Sequence, residues 1–291
     1  MAQPLEDAAI KSIKTLSTGW GEQHREHRHG SLLPQIWWVL TSRSWIRIPL
    51  HCFAIEHRDG LILFDTGMDP AIKLDPGYID SAVGRFLLRR IFRLHIGPED
   101  ALGRQLEKHG HAAAAVAKVI VSHLHFDHIG GISDVPQAEL LVSQDEWAQL
   151  SLPHPERKWI LRDHIELPGA KWRQIAFKPV KDPLFEAFDG IFDVMGDGSL
   201  VALPTPGHTA GSLSLLVRSA GMKPLLLIGD LAYDTEMLMR GQTPGTGDAA
   251  TLRASYAKVR ALKEKIPDLV ILASHDQGVA DKVREASRQG P

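Results

Sequence analysis

The sequence contains little that would place the chain outside the cell or in a membrane. Cys52 is its only cysteine, so no disulfide can form within the chain, which fits a reducing compartment. No apolar run approaches the ~20 residues that a membrane span requires. Residues 1–15 mix charged and apolar side chains and lack the apolar core of a secretion signal. We therefore expect a soluble, cytoplasmic protein without a membrane partner.

The chain also carries little net charge. A formal net charge of -2 over 291 residues offers no general attraction to the phosphates of a nucleic acid, so no nucleic-acid partner is expected. The length and an apolar fraction of 44% are sufficient for a full hydrophobic core. No low-complexity linker and no repeat of fixed period divides the sequence. We expect one domain over residues 1–291.

Strand-like and helix-like segments occur in both halves of the chain. The expected strands are 36–40, 45–55, 61–64, 116–121, 138–142, 191–195, 200–203, 212–217, 225–228 and 269–272, and the expected helices are 81–94, 99–109, one starting near 143, and 249–265. Residues 1–30 are polar and are expected to be irregular. Segment 68–97 has the character of an inserted helical segment, either packed on the core or forming a wall of a substrate pocket. Two sheets with helices outside them would account for this order.

Histidine is the abundant residue, with 15 copies. Each of three apolar strands leads directly to one potential metal ligand. These ligands are His123, Asp230 and His275. Because strand-end loops commonly carry ligand sites in α/β folds, these side chains are expected to converge. Most other histidines lack a partner pattern, and those at 24, 27 and 29 are expected to lie in a solvated segment.

Residues 122–128, Ser-His-Leu-His-Phe-Asp-His, form the most specific cluster. His123 and His125 are two residues apart, so in an extended segment their rings leave on the same side. Asp127 and His128 follow in a turn and point elsewhere, so this loop could supply two ligands to each of two ions. Imidazole and carboxylate ligands suit zinc, and also iron, cobalt or manganese. The candidates that would complete both sites are His208, Asp230 and His275, although spacing alone leaves open that these three are unrelated to the cluster.

The motifs follow one another in a known order. Asp65-Thr66-Gly67 precedes the 122–128 cluster, and Gly130-Gly131, the Pro-Gly-His-Thr segment at 206–209, Gly229-Asp230 and Ser274-His275 follow it. Together they resemble the metallo-β-lactamase superfamily over nearly the whole chain. The resemblance implies an α/β fold of the αββα type, in which two mixed sheets lie between helical layers. It also implies two divalent metal ions, with zinc favoured.

The resemblance further implies a role for each motif residue. The first ion would be bound by His123, His125 and His208, the second by Asp127, His128 and His275, and Asp230 would bridge the two. Asp65 would contact one of the metal ligands, not the metal itself, and orient that ligand. A homodimer, as in related lactonases, is expected only by this analogy.

The segment Asp230-Leu231-Ala232-Tyr233 resembles the N-acyl homoserine lactone lactonases, in which a tyrosine at this spacing contacts the substrate carbonyl. This implies that a metal-bound hydroxide opens a lactone ring, that Tyr233 stabilises the oxyanion, and that Asp127 passes a proton to the leaving alkoxide. Tyr233 could instead be a packing residue. Segment 68–97 and the loop 234–248 would shape the pocket, which leaves the substrate open.

Two alternatives remain at this level. An organophosphate triesterase, or another carboxylic ester hydrolase of the same superfamily, would use the same ligands and the same nucleophile. A protein of a different class, a metal-binding scaffold with a vestigial site, would retain the fold without turnover. The complete set of ligands argues against the scaffold.

Overall fold

The computed structural model describes residues 8–287, so the ends of the predicted domain lie outside the described residues. Its strands are β1 (Ile10–His24), β2 (Trp45–His57), β3 (Gly60–Phe64), β4 (Phe92–His95), β5 (Val116–Ile120), β6 (Glu139–Ser143), β7 (Lys171–Ile175), β8 (Phe192–Asp193), β9 (Leu200–Pro204), β10 (Leu213–Val217), β11 (Leu225–Leu227) and β12 (Val270–Leu272). Its helices are α1 (Arg25–His29), α2 (Gln35–Thr41), α3 (Ala71–Leu74), α4 (Ala82–Ile91), α5 (Leu102–Lys108), α6 (Phe126–Ile129), α7 (Gln144–Trp147), α8 (Arg162–Ile165), α9 (Thr235–Arg240), α10 (Ala249–Lys265) and α11 (Val279–Ser287).

The strands form two mixed sheets. The first has the order β4-β1-β2-β3-β5-β6-β7, and the second has the order β12-β11-β10-β9-β8. In the first sheet β3, β5, β6 and β7 are parallel, and in the second β11 and β12 are parallel. Parallel strands end at the same edge of a sheet, so the loops that follow β5, β6, β11 and β12 are brought to defined edges where a site can form.

Three layers of apolar contacts hold the sheets and helices together. Phe53 and Phe64 of the first sheet and Leu215 and Leu227 of the second belong to one buried cluster, which lies between the sheets. A second cluster joins the first sheet to α5, and a third joins the second sheet to α10. Each fully buried side chain of this size contributes about 1.5–3 kcal/mol. The resulting order of helix, sheet, sheet and helix confirms the predicted αββα sandwich.

The prediction that residues 1–30 are irregular is wrong for most of the described part. β1 is a fifteen-residue strand that pairs with β2 from Ile10 to His24 and with β4 on its other side. Ile13 and Leu16 are buried, but the many polar residues of β1 obscure the alternation of apolar and polar side chains that is typical of a strand. An interior strand is stabilised by its two neighbours, and strand propensity depends strongly on that context.

Residues 36–40, predicted as a strand, lie in the helix α2. Within it Trp38 and Val39 are buried, whereas Ile36, Trp37 and Leu40 are exposed. A run of five apolar residues has no readable period, so a strand and a short helix cannot be distinguished from it.

Segment 68–97 contains α3, α4 and β4. The predicted helix at 81–94 begins as expected, since the Ser81 hydroxyl accepts a hydrogen bond from the Gly84 amide at 2.8 Å. It ends earlier, at Ile91, because Phe92 turns into an extended conformation and the next residues pair with β1. The segment is thereby joined to the edge of the first sheet.

Among residues 8–287, no helix has the length and apolar character that crossing a membrane would need.

Candidate metal centre

Loops at the ends of β5, β9, β11 and β12 bring the seven predicted ligands together. They form two groups, each with its ligand atoms within 4.8 Å of one another: His123, His125 and His208 in one, and Asp127, His128, Asp230 and His275 in the other. The 122–128 loop contributes two residues to each group, which is the division that its spacing predicts. The distant residues 208, 230 and 275 do converge on this loop.

The first group consists of three imidazole rings around a common point. The Nδ1 atom of His125 lies 3.0 Å from Nε2 of His123 and 3.0 Å from Nε2 of His208. A tetrahedral zinc ion with Zn–N bonds of about 2.0–2.1 Å would separate its nitrogen ligands by about 3.3 Å, close to these values.

The three rings are also in the protonation state that a metal requires. Burial lowers the pKa of His125 to about 4 and that of His208 to about 3, and it lowers the pKa of His123 well below its usual value. At neutral pH the rings therefore keep their lone pairs free, which is the ligand form of histidine.

Asp230 lies between the two groups. Its Oδ1 is 3.2 Å from Nε2 of His128, and its Oδ2 is 3.1 Å from Nε2 of His275 and 3.5 Å from Nε2 of His208. Oδ2 of Asp127 lies 3.7 Å from Nε2 of His275. A carboxylate that contacts members of both groups has the position expected of a bridge between two cations.

Orphaned polar atoms show that this donor set fits a pair of cations. His128 Nε2 and Asp230 Oδ1 are buried and have no aligned hydrogen-bond partner within residues 8–287. Buried polar atoms are normally paired, so unpaired ones call for an ion or a ligand. Cations at the two groups would coordinate His128 Nε2 and Asp230 Oδ1.

The carboxylates favour positive charge in the second group. Burial opposes protonation of His128, but Asp230, Asp65 and Asp127 together raise its pKa well above the usual value. Burial likewise opposes charge on Asp230, yet His275 and His128 hold its pKa well below the usual range. A proton or a metal cation can supply the positive charge that these carboxylates stabilise.

Two hydrogen bonds fix which nitrogen of each ring faces the centre. Asp65 Oδ2 accepts from Nδ1 of His128 at 2.8 Å, and the Pro49 carbonyl accepts from Nδ1 of His275 at 2.8 Å. Asp65 is fully buried, has a left-handed backbone with φ 60, and also accepts from the amide and hydroxyl of Ser122. The Nε2 atoms of both rings therefore face Asp230, where a bound cation would replace the proton on each of them.

An Asp65→Asn variant tests this orienting contact. An amide nitrogen at the Oδ2 position cannot accept from His128 Nδ1, so the ring loses the contact that sets its orientation. We expect metal affinity to fall by about 10- to 100-fold, measured by competition with a chromophoric chelator. Far-ultraviolet circular dichroism should remain unchanged. A metal affinity equal to that of the wild type would show that the hydrogen bond does not control the orientation of the His128 ring.

Glu146 is a residue of the centre that the sequence did not identify. Its position three residues after Ser143 predicts a capping box, and the Ser143 hydroxyl does accept from the Glu146 amide at 3.0 Å. The carboxylate, however, accepts from the Leu124 amide at 2.9 Å, the Gly211 amide at 3.1 Å and the Thr209 hydroxyl at 2.6 Å. Glu146 thus links the 122–128 loop to the loop that carries His208.

The close approach at Gly211 shows how tightly this link is packed. A Cβ atom at Gly211 would lie 1.9 Å from the Glu146 backbone nitrogen, so no larger residue fits without moving the loop. Glu146 itself is fully buried. The sequence marks Glu146 only by its position three residues after Ser143, and that spacing predicts a helix cap and not a link between two loops.

A cavity of about 810 Å³ opens beside the two groups. Apolar side chains form much of its wall, among them Ile48, Ile91, Phe92, Phe126 and Trp159, and Asp127, Asp230, Tyr233 and His275 also line it. Two of the apolar residues, Ile91 and Phe92, come from segment 68–97, which therefore does form part of a pocket wall.

The Tyr233 ring lies 5.8 Å from the His275 ring between centroids. Burial raises the pKa of the Tyr233 phenol, so the hydroxyl stays protonated.

The histidines expected in a solvated N-terminal segment differ from one another. His29 is exposed as predicted, but His24 and His27 are buried. They lie where β1 continues into α1, and Trp38 packs against the His27 ring with centroids 4.7 Å apart. The prediction failed for these two because the aromatic residues that cover them come from α2 and β2, later in the chain.

The fold and this cluster together define a metal-dependent hydrolase. Residues 47–275 match the family model of the metallo-beta-lactamase superfamily, and the chain belongs to that superfamily. The match extends through His275, so it includes all seven clustered residues.

Proteins similar to this chain include lactonases. The N-acyl homoserine lactonase AttM of Rhizobium radiobacter is 31% identical over 241 residues, which is 79% of this chain and 82% of that protein. The probable metallo-hydrolase Rv2300c of Mycobacterium tuberculosis is 29% identical over 83% of this chain and 79% of its own length. A solved N-acyl homoserine lactone hydrolase with N-hexanoyl-L-homoserine at its metal centre has the same fold, with a TM-score of 0.71, 22% identity, and coverage of 92% of this chain and 94% of that one.

Proposed function

We propose that the protein opens the lactone ring of N-acyl homoserine lactones or related lactones by hydrolysis. The observation that carries the proposal is the position of Asp230 between two ligand groups at a cavity that Tyr233 also lines. The 31% identity with the lactonase AttM over most of both chains supports the substrate class.

The seven clustered residues would hold two divalent cations. His123, His125 and His208 would bind one ion, Asp127, His128 and His275 the other, and Asp230 both. Zinc suits this mixture of imidazole and carboxylate, with iron, cobalt or manganese as alternatives. When bound, such a pair lowers the pKa of water and polarises an ester carbonyl.

The chain's own side chains would bind the ester and manage its protons. The Tyr233 hydroxyl, which burial keeps protonated, donates to the carbonyl oxygen as negative charge develops on it. Asp127 is partly accessible and borders the cavity, so it would take up the proton that the attacking water loses and deliver it to the leaving alkoxide. The apolar wall excludes bulk water and leaves room for an acyl chain.

A Tyr233→Phe variant removes only the hydroxyl. We expect kcat on a lactone to fall by about 10- to 100-fold, less than the loss of a sole oxyanion donor, because a cation would share this role. The metal content, measured by plasma mass spectrometry, should equal that of the wild type. Unchanged turnover on every lactone would make Tyr233 a packing residue.

A substrate panel tests the function directly. Metal-loaded protein would be assayed by pH-stat on N-acyl homoserine lactones of varied acyl length, on simple lactones and on organophosphate triesters. Ring opening with little triester hydrolysis supports the proposal, and the reverse pattern favours a triesterase. Fewer than one ion per chain after metal-supplemented expression, with no turnover, would favour a scaffold. A homodimer and a cytoplasmic location remain predictions.

A further inference from the structure

Two buried polar side chains from one short stretch of chain line the cavity beside the metal centre. Gln23 lies near the end of β1 and His27 lies in α1, and both border the cavity. They are 2% and 5% exposed. Neither belongs to the ligand groups or takes part in the proposed chemistry. Burying polar atoms without partners is unfavourable, so this pair requires an explanation.

The contacts of the His27 ring determine which of its nitrogens can accept a hydrogen bond. Nδ1 lies 3.2 Å from the carbonyl oxygen of His24, and a carbonyl can only accept, so Nδ1 carries the proton. Burial lowers the pKa of His27 to about 4, so the ring is neutral near pH 7. Nε2 therefore presents a lone pair. Within residues 8–287 the only hydrogen bond of this ring is the one to His24.

Gln23 supplies a hydrogen-bond donor in the same wall. Its Nε2 is buried and makes no aligned hydrogen bond within the described part of the chain, although the side chain lies next to the Tyr233 hydroxyl. The backbone at Gln23 is held on both sides, by Ile46 of β2 and Phe92 of β4. A donor and an acceptor thus lie four residues apart in the chain, and the donor lies beside the proposed oxyanion donor Tyr233.

We propose that Gln23 and His27 bind the amide group of an N-acylamino lactone. Gln23 would donate to the amide oxygen and His27 Nε2 would accept the amide N–H, since a secondary amide offers one acceptor and one donor. The inference rests on the proposed lactonase function. It narrows the substrate from lactones in general to those that carry an amide beside the ring carbonyl. A site built to hydrogen-bond such a group discriminates against an analogue that lacks it.

A selectivity ratio tests the proposal on the metal-loaded full chain. The ratio is kcat/KM for N-hexanoyl homoserine lactone divided by kcat/KM for an alkyl γ-lactone of similar length without an amide. His27→Phe keeps an aromatic ring against Trp38 but removes the acceptor, and we expect the ratio to fall about tenfold. His27→Gln places an acceptor oxygen near the former Nε2 and should restore most of the ratio. His29→Phe, two residues away and exposed, should leave it unchanged.

Gln23→Leu provides an independent variant if His27→Phe folds poorly, and it too should lower the ratio. An unchanged ratio in folded, metal-loaded His27→Phe or Gln23→Leu would overturn the inference, and so would an equal fall in His29→Phe. Wild-type protein that opens both lactones with equal kcat/KM would contradict amide recognition alone. Wild-type protein that opens neither would contradict the proposed function itself.

Discussion

Replacing Asp230 with asparagine is expected to abolish binding of at least one of the two ions and to lower lactone hydrolysis more than about 1000-fold. The carboxylate contacts His128 and His275 in one group and His208 in the other. Asparagine removes the negative charge and replaces one of the two oxygens that would bind the cations with an NH2 group, which cannot bind a cation. The loss should exceed the about 10- to 100-fold cost of removing a residue that only orients a ligand.

Metal content and turnover must be measured on the same preparations. Asp268→Asn is the matched control, because Asp268 is exposed on the surface and should keep both ions and full activity. His123→Ala should resemble Asp230→Asn, since it removes a ring of the first group. Wild-type protein that was freed of metal and still hydrolysed lactones at an undiminished rate would refute a metal-dependent mechanism.

The convergence of the seven candidate ligands was predictable from the sequence because each of them occupies a local motif. His123, Asp230 and His275 directly follow apolar strands, and the fold carries the ends of such strands to one region. The spacing within residues 122–128 even gave the division between the two groups. Spacing alone left His208, Asp230 and His275 open, and the resemblance of the motif order to the metallo-β-lactamase superfamily completed the set.

The residues that the sequence missed depend on contacts between distant segments. β1 is stabilised by β2 and β4, which follow it by tens of residues. Glu146 acts on Gly211, 65 positions later, and nothing near it marks the carboxylate as buried. His27 is buried at the cavity because the rings of Trp38 and Phe92 pack against it. Such tertiary contacts override local composition, so single-sequence patterns cannot reveal them.

Replacing Glu146 with alanine is expected to cause the largest loss of stability among these variants. It would leave the Leu124 amide, the Gly211 amide and the Thr209 hydroxyl without their acceptor. Each buried amide left unpaired costs about 1–3 kcal/mol, and the Thr209 hydroxyl can still bond to Ser212 Oγ, so the free energy of unfolding should fall by about 2–6 kcal/mol. Because both ligand loops are then released, metal affinity should also fall, by about 10- to 100-fold.

Glu146→Gln is the milder variant and should remain folded. One oxygen can still accept from the Leu124 amide, but an N–H group would face the Gly211 amide and the Thr209 hydroxyl, so we expect a loss of about 1–3 kcal/mol. Asp145→Asn, the exposed neighbour, serves as the control. Urea unfolding with and without zinc, together with chelator competition, would measure both effects.

A double-mutant cycle separates a link between the loops from a general packing defect. Thr209→Val removes the hydroxyl that donates to Glu146. If the carboxylate transmits the position of one ligand loop to the other, Glu146→Gln and Thr209→Val should be non-additive in metal affinity, because each breaks the same contact. Additive losses, or a stability loss without any change in metal affinity, would confine Glu146 to structural support and leave each ligand loop independently positioned.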